Sequence, residues 1–146
     1  MITFSNTVDI ARPPAEVFAY LADLEHTPEW NWAITSTRKV SPGPVGVGTR
    51  YQQSRSVPRS AVEMLEVTEL QADSRIEVAG DLGPFRAHLT YELAPTAGGT
   101  RLTNSVDLDP PGALGLFGGL FTGRIQASVA ENLGVLRTLL EAGAAH

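Results

Sequence analysis

The chain has 146 residues and a formal net charge of −5, a size typical of one domain. It contains no cysteine, which excludes thiol nucleophiles, thiolate metal sites and disulfide bonds. The acidic balance opposes attraction to nucleic-acid phosphates and to an anionic membrane surface. No apolar run approaches the roughly 20 residues that span a bilayer. We therefore expect a soluble, unprocessed, cytoplasmic protein that does not bind nucleic acid and is not stably inserted in a membrane.

The N-terminal part of the chain predicts one strand and two short helices. Residues 2–10 alternate apolar and polar side chains, as in a half-buried strand. Prolines and helical spacing then favour a helix over about residues 14–22. A second short helix, opened by Pro28, carries Trp30.

Period-two alternation continues through the middle of the chain, interrupted by turn residues. It predicts six further strands, at about residues 34–40, 49–57, 61–70, 75–79, 85–94 and 100–109. Because the connections are short, these strands should form an antiparallel meander. Within residues 85–94, Phe85, Leu89 and Tyr91 share one face and His88 lies on the other, so one face of the sheet is wet.

The C-terminal part predicts one long amphipathic helix. Its apolar residues at helical spacing are Ile125, Val129, Leu133, Leu136 and Leu140. The helix should end near Glu141 and exceed about 20 residues, enough to cross the sheet. The apolar, glycine-rich residues 112–121 precede it, and we interpret them as a flexible lid.

These elements define an α+β fold with one core. The apolar face of the sheet and the apolar face of the helix must cover each other. A single helix about 10 Å wide cannot fill the concavity of a bent sheet of seven strands. We therefore predict a seven-stranded curved antiparallel sheet wrapped around the long C-terminal helix, with two short helices after the first strand and a largely apolar pocket inside.

The order of elements and several local motifs resemble the START-like (SRPBCC) superfamily, in particular its polyketide cyclase/dehydrase and lipid transport branch. The motifs are ARPPAEVFAYLAD after the first strand, PEW at 28–30, VGVGTRY at 45–51, VEMLEVTEL, and LGVLRTLLE in the last helix. The resemblance implies a helix-grip fold and one START-like ligand-binding domain over residues 1–146. It also implies that Trp30 plugs one end of the sheet. The alternative interpretation is that Trp30 and Trp32 line the mouth of the pocket.

The strand and helix patterns assign a set of residues to the concave face. The candidate ligand-binding residues are Tyr51, Gln53, Arg55, Glu63, Leu65, Phe85, Leu89, Tyr91, Asn104 and Val129. A buried polar side chain is costly unless something bonds it, so polar residues on this apolar face indicate a wet or ligand-filled cavity. The alternative is that they lie at strand ends and reach solvent, or that a bulge shifts the register.

Arg55 and Glu63 are predicted on neighbouring strands, where they can form a cross-strand pair. Three roles for Arg55 follow. In the first, Arg55 binds a carboxylate or carbonyl group of a ligand. In the second, it is a buried structural partner of Glu63. In the third, the two residues form an exposed ion pair of little energetic value.

No residue pattern predicts a catalytic group, a metal site or a cofactor. His88 falls on the wet face, His26 in a loop and His146 at the terminus, without metal-ligand spacing. We expect the protein to bind a small hydrophobic or polyketide-like molecule, as a monomer or weak homodimer. The alternative is a polyketide cyclase/dehydrase-like enzyme that promotes aldol cyclisation or dehydration by orienting its substrate. A third interpretation, a protein-interaction module, would use residues 112–121.

Overall fold

The computed structural model describes residues 1–57, 59–82, 85–109 and 118–143, and the side chains of residues 118–122 lie outside this description. The strands are β1 (Ile2–Ile10), β2 (Ile34–Lys39), β3 (Arg50–Arg55), β4 (Ala61–Gln71), β5 (Arg75–Leu82), β6 (Phe85–Thr96) and β7 (Gly99–Asp109). The helices are α1 (Pro14–Leu21), a 3₁₀ helix (Leu24–His26), α2 (Thr27–Trp30) and α3 (Gly118–Glu141). The predicted helix-grip fold is confirmed. Residues 110–117, which include most of the predicted lid, lie outside the described residues.

All seven strands form one antiparallel sheet in the order β1-β7-β6-β5-β4-β3-β2. Strands β2 to β7 form a meander because each pairs with the next along the chain. β1 pairs with β7 and β2 lies at the opposite edge, so α1, the 3₁₀ helix and α2 carry the chain from one edge of the sheet to the other. These short helices close one end of the sheet, as the sequence predicts.

Strand β5 shows the largest extension beyond the bounds that the sequence predicts. The sequence predicts a turn beginning at Gly80, but β5 continues to Leu82 and pairs with β6 throughout. Gly80 lies opposite Leu65 on β4, and a Cβ at residue 80 would meet the Met64 carbonyl oxygen and come within 2.7 Å of the Leu65 side chain. This glycine therefore marks a close approach of two strands, which is a known use of glycine inside a sheet.

The buried side chains form two clusters between the sheet and the helices. The larger cluster joins α1, the 3₁₀ helix and α2 to the inner face of the sheet and to Leu133, Leu136 and Leu140 of α3. The smaller joins Phe4 of β1 to residues of β6 and β7. Leu89 and Val129 pack against both clusters but are only partly buried. The middle of the inner face is thus less completely covered than its two ends.

The end of α3 is held by the segment after β1. The Arg12 side chain donates from Nε to the Leu140 carbonyl oxygen at 3.0 Å and from Nη2 to the Glu141 carbonyl oxygen at 2.8 Å. The Leu140 carbonyl oxygen also accepts from the Gly143 N–H at 3.0 Å. The last carbonyls of a helix lack amide partners inside it, so an arginine suits both their hydrogen bonding and the helix dipole. The backbone N–H of Ala11 in turn donates to the Glu141 carboxylate at 2.9 Å. The last turn of α3 is therefore fixed relative to β1.

We expect the Glu141 contact to make stability depend on acid pH. The Ala11 N–H, and then Arg137, hold the pKa of this carboxyl below its usual value of 4.5. A lowered pKa in the folded state contributes stability above the unfolded pKa, and the contribution is lost as pH falls through the folded pKa. The melting temperature of the Glu141→Gln variant should therefore lie below that of the wild type at pH 7, and the difference should shrink below about pH 4.5.

Thermal melting from pH 7 to pH 3 measures this difference. Glu131→Gln is the matched control, because Glu131 is an exposed carboxylate on the same helix that makes no contact with residues 11 and 12. A difference between Glu141→Gln and wild type that stayed constant over the whole pH range would contradict the expectation.

Candidate functional site

Three polar residues of β3 and β4 form a hydrogen-bonded cluster on the concave face. Gln53 and Glu63 are direct cross-strand partners, and the Gln53 Nε2 group donates to Glu63 Oε1 at 2.9 Å. Arg55 donates from Nε to both oxygens of the same carboxylate, at 3.1 and 3.0 Å. The side chains of Arg55 and Glu63 are 14% and 2% exposed. The pair therefore lies inside the protein rather than at a solvent-exposed rim.

The cluster brings donors to the interior without a net charge. The guanidinium and the carboxylate cancel each other, and Glu63 makes a further contact beyond those with Gln53 and Arg55. Arg55 donates to the described residues through Nε alone. Its Nη1 and Nη2 groups form no hydrogen bond to them. An arginine carries five N–H donors, so four of them are available to another acceptor at this place.

Three of the predicted site residues belong to the larger core cluster: Tyr51, Leu65 and Tyr91. The Tyr51 hydroxyl lies beside the Leu24 backbone N–H without reaching hydrogen-bond geometry with any described residue. Burial, and then the Asp23 carboxylate, raise the pKa of Tyr51, although the Leu24 N–H lowers it. Burial alone raises the pKa of Tyr91, whose ring packs edge-to-face against Trp30 at 6.5 Å between centroids. Both phenols are therefore neutral at physiological pH.

The three remaining apolar candidates are Phe85 and Leu89 on β6 and Val129 on α3. Phe85 packs against the smaller cluster, and Leu89 and Val129 pack against both clusters. All three are only partly buried, although the register places Leu89 between Val78 and Val106 in the middle of the sheet.

Asn104 lies deep in the sheet, beside Asn6 and Tyr91 on the neighbouring strands. Its Nδ2 group donates to the Thr90 carbonyl oxygen at 3.2 Å. Asn6 donates in the same way to the backbone of α3, at the Gln126 carbonyl oxygen, 3.2 Å away. The Asn104 side chain thus links two neighbouring strands of the sheet, and the Asn6 side chain links the sheet to α3.

One buried polar residue of α3, Asn132, is not among the site residues predicted from the sequence. Asn132 is 6% exposed, and its Oδ1 atom has no hydrogen-bond partner within the described ranges. It follows Val129 by three residues and precedes Leu136 by four, so it shares their side of the helix. The signal in the sequence is a polar residue beside the apolar positions of the helix, and the spacing of the apolar positions alone does not identify it.

The aromatic and histidine residues divide into buried and exposed ones. Trp30 is buried against Tyr91, whereas Trp32 is exposed. His26 ends the 3₁₀ helix rather than lying in a loop, and its ring stacks on Tyr20 at 4.2 Å between centroids. His88 is exposed, and His146 lies outside the described residues.

The described ranges lack two other features that would indicate a function. No group of three or more His, Asp or Glu residues among them has the arrangement of a metal site. No helix within the same ranges is long and apolar enough to cross a membrane.

The chain also matches a known family by its sequence. A family model described as "Polyketide cyclase / dehydrase and lipid transport" matches residues 1–141. The chain belongs to this family. The match covers every helix and strand of the fold, so the resemblance predicted from the local motifs is confirmed.

Solved structures share the family's fold with this chain at low sequence identity. TTHA0849 from Thermus thermophilus superposes with a TM-score of 0.76 at 22% identity, over 97% of this chain and 98% of that one. A START superfamily protein from Mycobacterium smegmatis gives 0.75 at 18%, over 95% and 99%. The di-domain ARO/CYC protein StfQ from the steffimycin biosynthetic pathway gives 0.78 at 14%, over 99% of this chain and 52% of that one.

A relative found by sequence alone matches only a short segment. An uncharacterized protein of Mycobacterium tuberculosis is 46% identical over 46 residues. The segment covers 32% of this chain and 28% of that protein, so the match does not extend to the rest of either chain.

Proposed function

We propose that the protein binds a small hydrophobic molecule in the interior between the sheet and α3. The observation that carries the proposal is the partial burial of Leu89 on β6 and Val129 on α3. Both residues pack between two clusters that are well buried. Apolar side chains in the middle of a sheet that wraps a helix are expected to be fully covered by close packing. Incomplete cover at the centre therefore supports a space that an apolar ligand can occupy.

The position of α3 supports the same proposal. The helix makes its closest approach to the sheet along β1 and packs on α2, with no comparable approach to β3, β4 or β5 among the described residues. Those three strands therefore face the helix across a wider gap, which side chains or a ligand must fill. The inner residues of β3 and β4 at this place include the Gln53, Arg55 and Glu63 cluster. A ligand in the gap would contact apolar walls and one polar region, as is usual for small-molecule sites.

Catalysis of a cyclisation or dehydration is the second candidate. The observation that favours it is the pair of unengaged Nη groups of Arg55, because such donors inside an apolar site stabilise a developing enolate oxygen. Binding is preferred because the Glu63 carboxylate already accepts hydrogen bonds from Gln53 and Arg55, which does not favour a role as general base. Formation of an aromatic product from a poly-β-ketone, lost in the Arg55→Lys variant, would instead support the enzyme.

A cavity-filling variant tests the binding proposal. Val129→Phe adds bulk on the inner side of α3, where the valine is partly buried between the two clusters. The wild-type protein should bind the neutral dye Nile red at one site with a blue-shifted emission. Val129→Phe should weaken this binding by about tenfold or more, because the added ring occupies the space that the dye needs.

Val135→Phe is the matched control, since Val135 lies on the outer side of the same helix and is 45% exposed. It should leave the dissociation constant of Nile red unchanged. Dye binding that did not saturate, or that weakened equally in both variants, would refute the proposed site. Native mass spectrometry of the purified wild-type protein would in addition detect any small molecule that remains bound.

A further inference from the structure

Asn132 is a buried amide whose oxygen has no partner among the residues that the structure describes. Its Oδ1 atom is fully buried and forms no hydrogen bond to a described residue. Nearly all buried polar side chains in folded proteins have a partner, and each exception has a cause, such as an ordered water or a ligand. The same is not true of Gln126 on this helix, whose Nε2 group donates to the Ser5 carbonyl oxygen at 3.2 Å.

The two amides point to different flanks of α3. Gln126 marks the flank that faces β1. Asn132 follows it by six residues, which is about 240° further around an α-helix. Its side chain therefore leaves the helix on the flank away from β1. α2 packs on α3 as well, and the core cluster that contains Leu133 and Leu136 joins this part of the helix to Tyr51 of β3 and Leu65 of β4.

The charges around this interior favour a neutral ligand. The Arg55 guanidinium is paired with the Glu63 carboxylate, so the polar cluster on the strand side carries no net positive charge for an anion. The Asn132 amide is uncharged, and the Tyr51 phenol, whose pKa is raised by burial, is neutral at physiological pH. A carboxylate would lose its hydration here without gaining an unpaired cation. A neutral hydroxyl group loses less hydration and can donate directly to an amide oxygen.

We propose that Asn132 is a specificity-determining residue of the binding site, and that its side-chain oxygen accepts a hydrogen bond from a hydroxyl group on an otherwise apolar, uncharged ligand. The assignment rests on the proposed function, because it needs a ligand between α3 and the sheet. It names the ligand class as neutral hydroxylated apolar molecules. It also explains why a polar side chain persists on the inner side of a helix whose neighbouring inward residues are apolar.

Competition against Nile red with two matched probes tests the assignment. The probes are 2-naphthol and 2-methylnaphthalene, which share a ring system and differ in a hydroxyl against a methyl group. The wild-type protein should bind 2-naphthol at least about fivefold more tightly, as expected for one hydrogen bond to a buried acceptor. In Asn132→Leu, which replaces the amide by an apolar group of similar size, the ratio of the two dissociation constants should fall to one or below.

Two further measurements make the result specific. Gln52→Leu removes an amide from the outer face of β3 and should leave the ratio as in the wild type, since Gln52 pairs with the exposed Met64. Thermal melting without any probe should show Asn132→Leu to be more stable than the wild type by about 2–4 °C, because a buried amide whose oxygen lacks a partner has been removed. A fall in melting temperature would mean that the amide has a structural partner, and the assignment would be wrong.

The outcomes separate this assignment from the proposed function. If Nile red binds at one site but the probe ratio is the same in wild type and Asn132→Leu, the assignment fails and the proposed function stands. The same conclusion follows if Nile red binds and neither naphthalene displaces it. If Nile red itself does not bind to the wild-type protein, both are overturned.

Discussion

The Arg55→Met variant should lose about 3–5 kcal/mol of unfolding free energy, the usual result of removing one partner from a buried ion pair. Methionine retains much of the apolar stem of arginine, so packing is largely kept while the cation and its donors are lost. The Glu63 carboxylate, with a side chain only 2% exposed, would then lack its positive partner. Urea unfolding monitored by tryptophan fluorescence measures the change.

Two variants show whether the loss comes from the stranded carboxylate. Arg86→Met removes the same group from an ion pair with Asp81 at 2.9 Å on the outer side of the sheet, where the arginine side chain is 74% exposed. It should change stability by no more than about 1 kcal/mol. The double variant Arg55→Met/Glu63→Gln should regain most of the lost stability, because the uncompensated charge is gone and the glutamine oxygen can still accept from Gln53. Equal effects of Arg55→Met and Arg86→Met would show that the inner pair is as well hydrated as the outer one.

Strand alternation was sufficient to place Gln53, Arg55 and Glu63 on one face, because side chains alternate strictly along a strand. The short connection between β3 and β4 also made a cross-strand contact predictable. The sequence left three roles open for Arg55, and the side-chain geometry is needed to distinguish them. Only the structure gives the bond from Arg55 Nε to both carboxylate oxygens and the burial of the pair.

The covering of the inner face could not be predicted from the pattern of β6 and α3. Leu89 and Val129 fit the apolar periodicity of their elements as well as Leu93 and Leu133 do, yet the first two are partly buried and the others fully. The difference depends on where α3 lies across the sheet. That position is determined by contacts far apart in sequence, such as those of Asn6 and Ser5 with Gln126. Periodicity identifies the face of an element but not its distance from the opposite wall.

Glycines show the same limit within a single turn. The sequence identifies Gly98 and Gly99 only as turn residues between β6 and β7, whereas Gly99 is the first residue of β7. In the structure the two are not equivalent. A Cβ at Gly98 would meet nothing within 4 Å, whereas a Cβ at Gly99 would meet the Ile10 carbonyl oxygen and lie 2.8 Å from the Arg12 nitrogen. Gly99 also has φ +154°, a conformation that residues with a side chain rarely adopt.

Gly99→Ala should therefore destabilise the protein by about 3 kcal/mol or more, since the clash is with backbone that cannot rotate away and the alanine is also strained. Gly98→Ala is the matched control, and it should be neutral or slightly stabilising because it only restricts the unfolded chain.

The damage at Gly99 should extend beyond the turn. The backbone it would displace includes Arg12, whose carbonyl oxygen accepts from Thr100 Oγ1 at 2.7 Å and whose side chain holds the last carbonyls of α3. Hydrogen exchange should accordingly show faster exchange of the amides in the last turn of α3 in Gly99→Ala, but not in Gly98→Ala. If urea unfolding gave the two variants the same stability, the close packing of this turn against the end of β1 would be refuted.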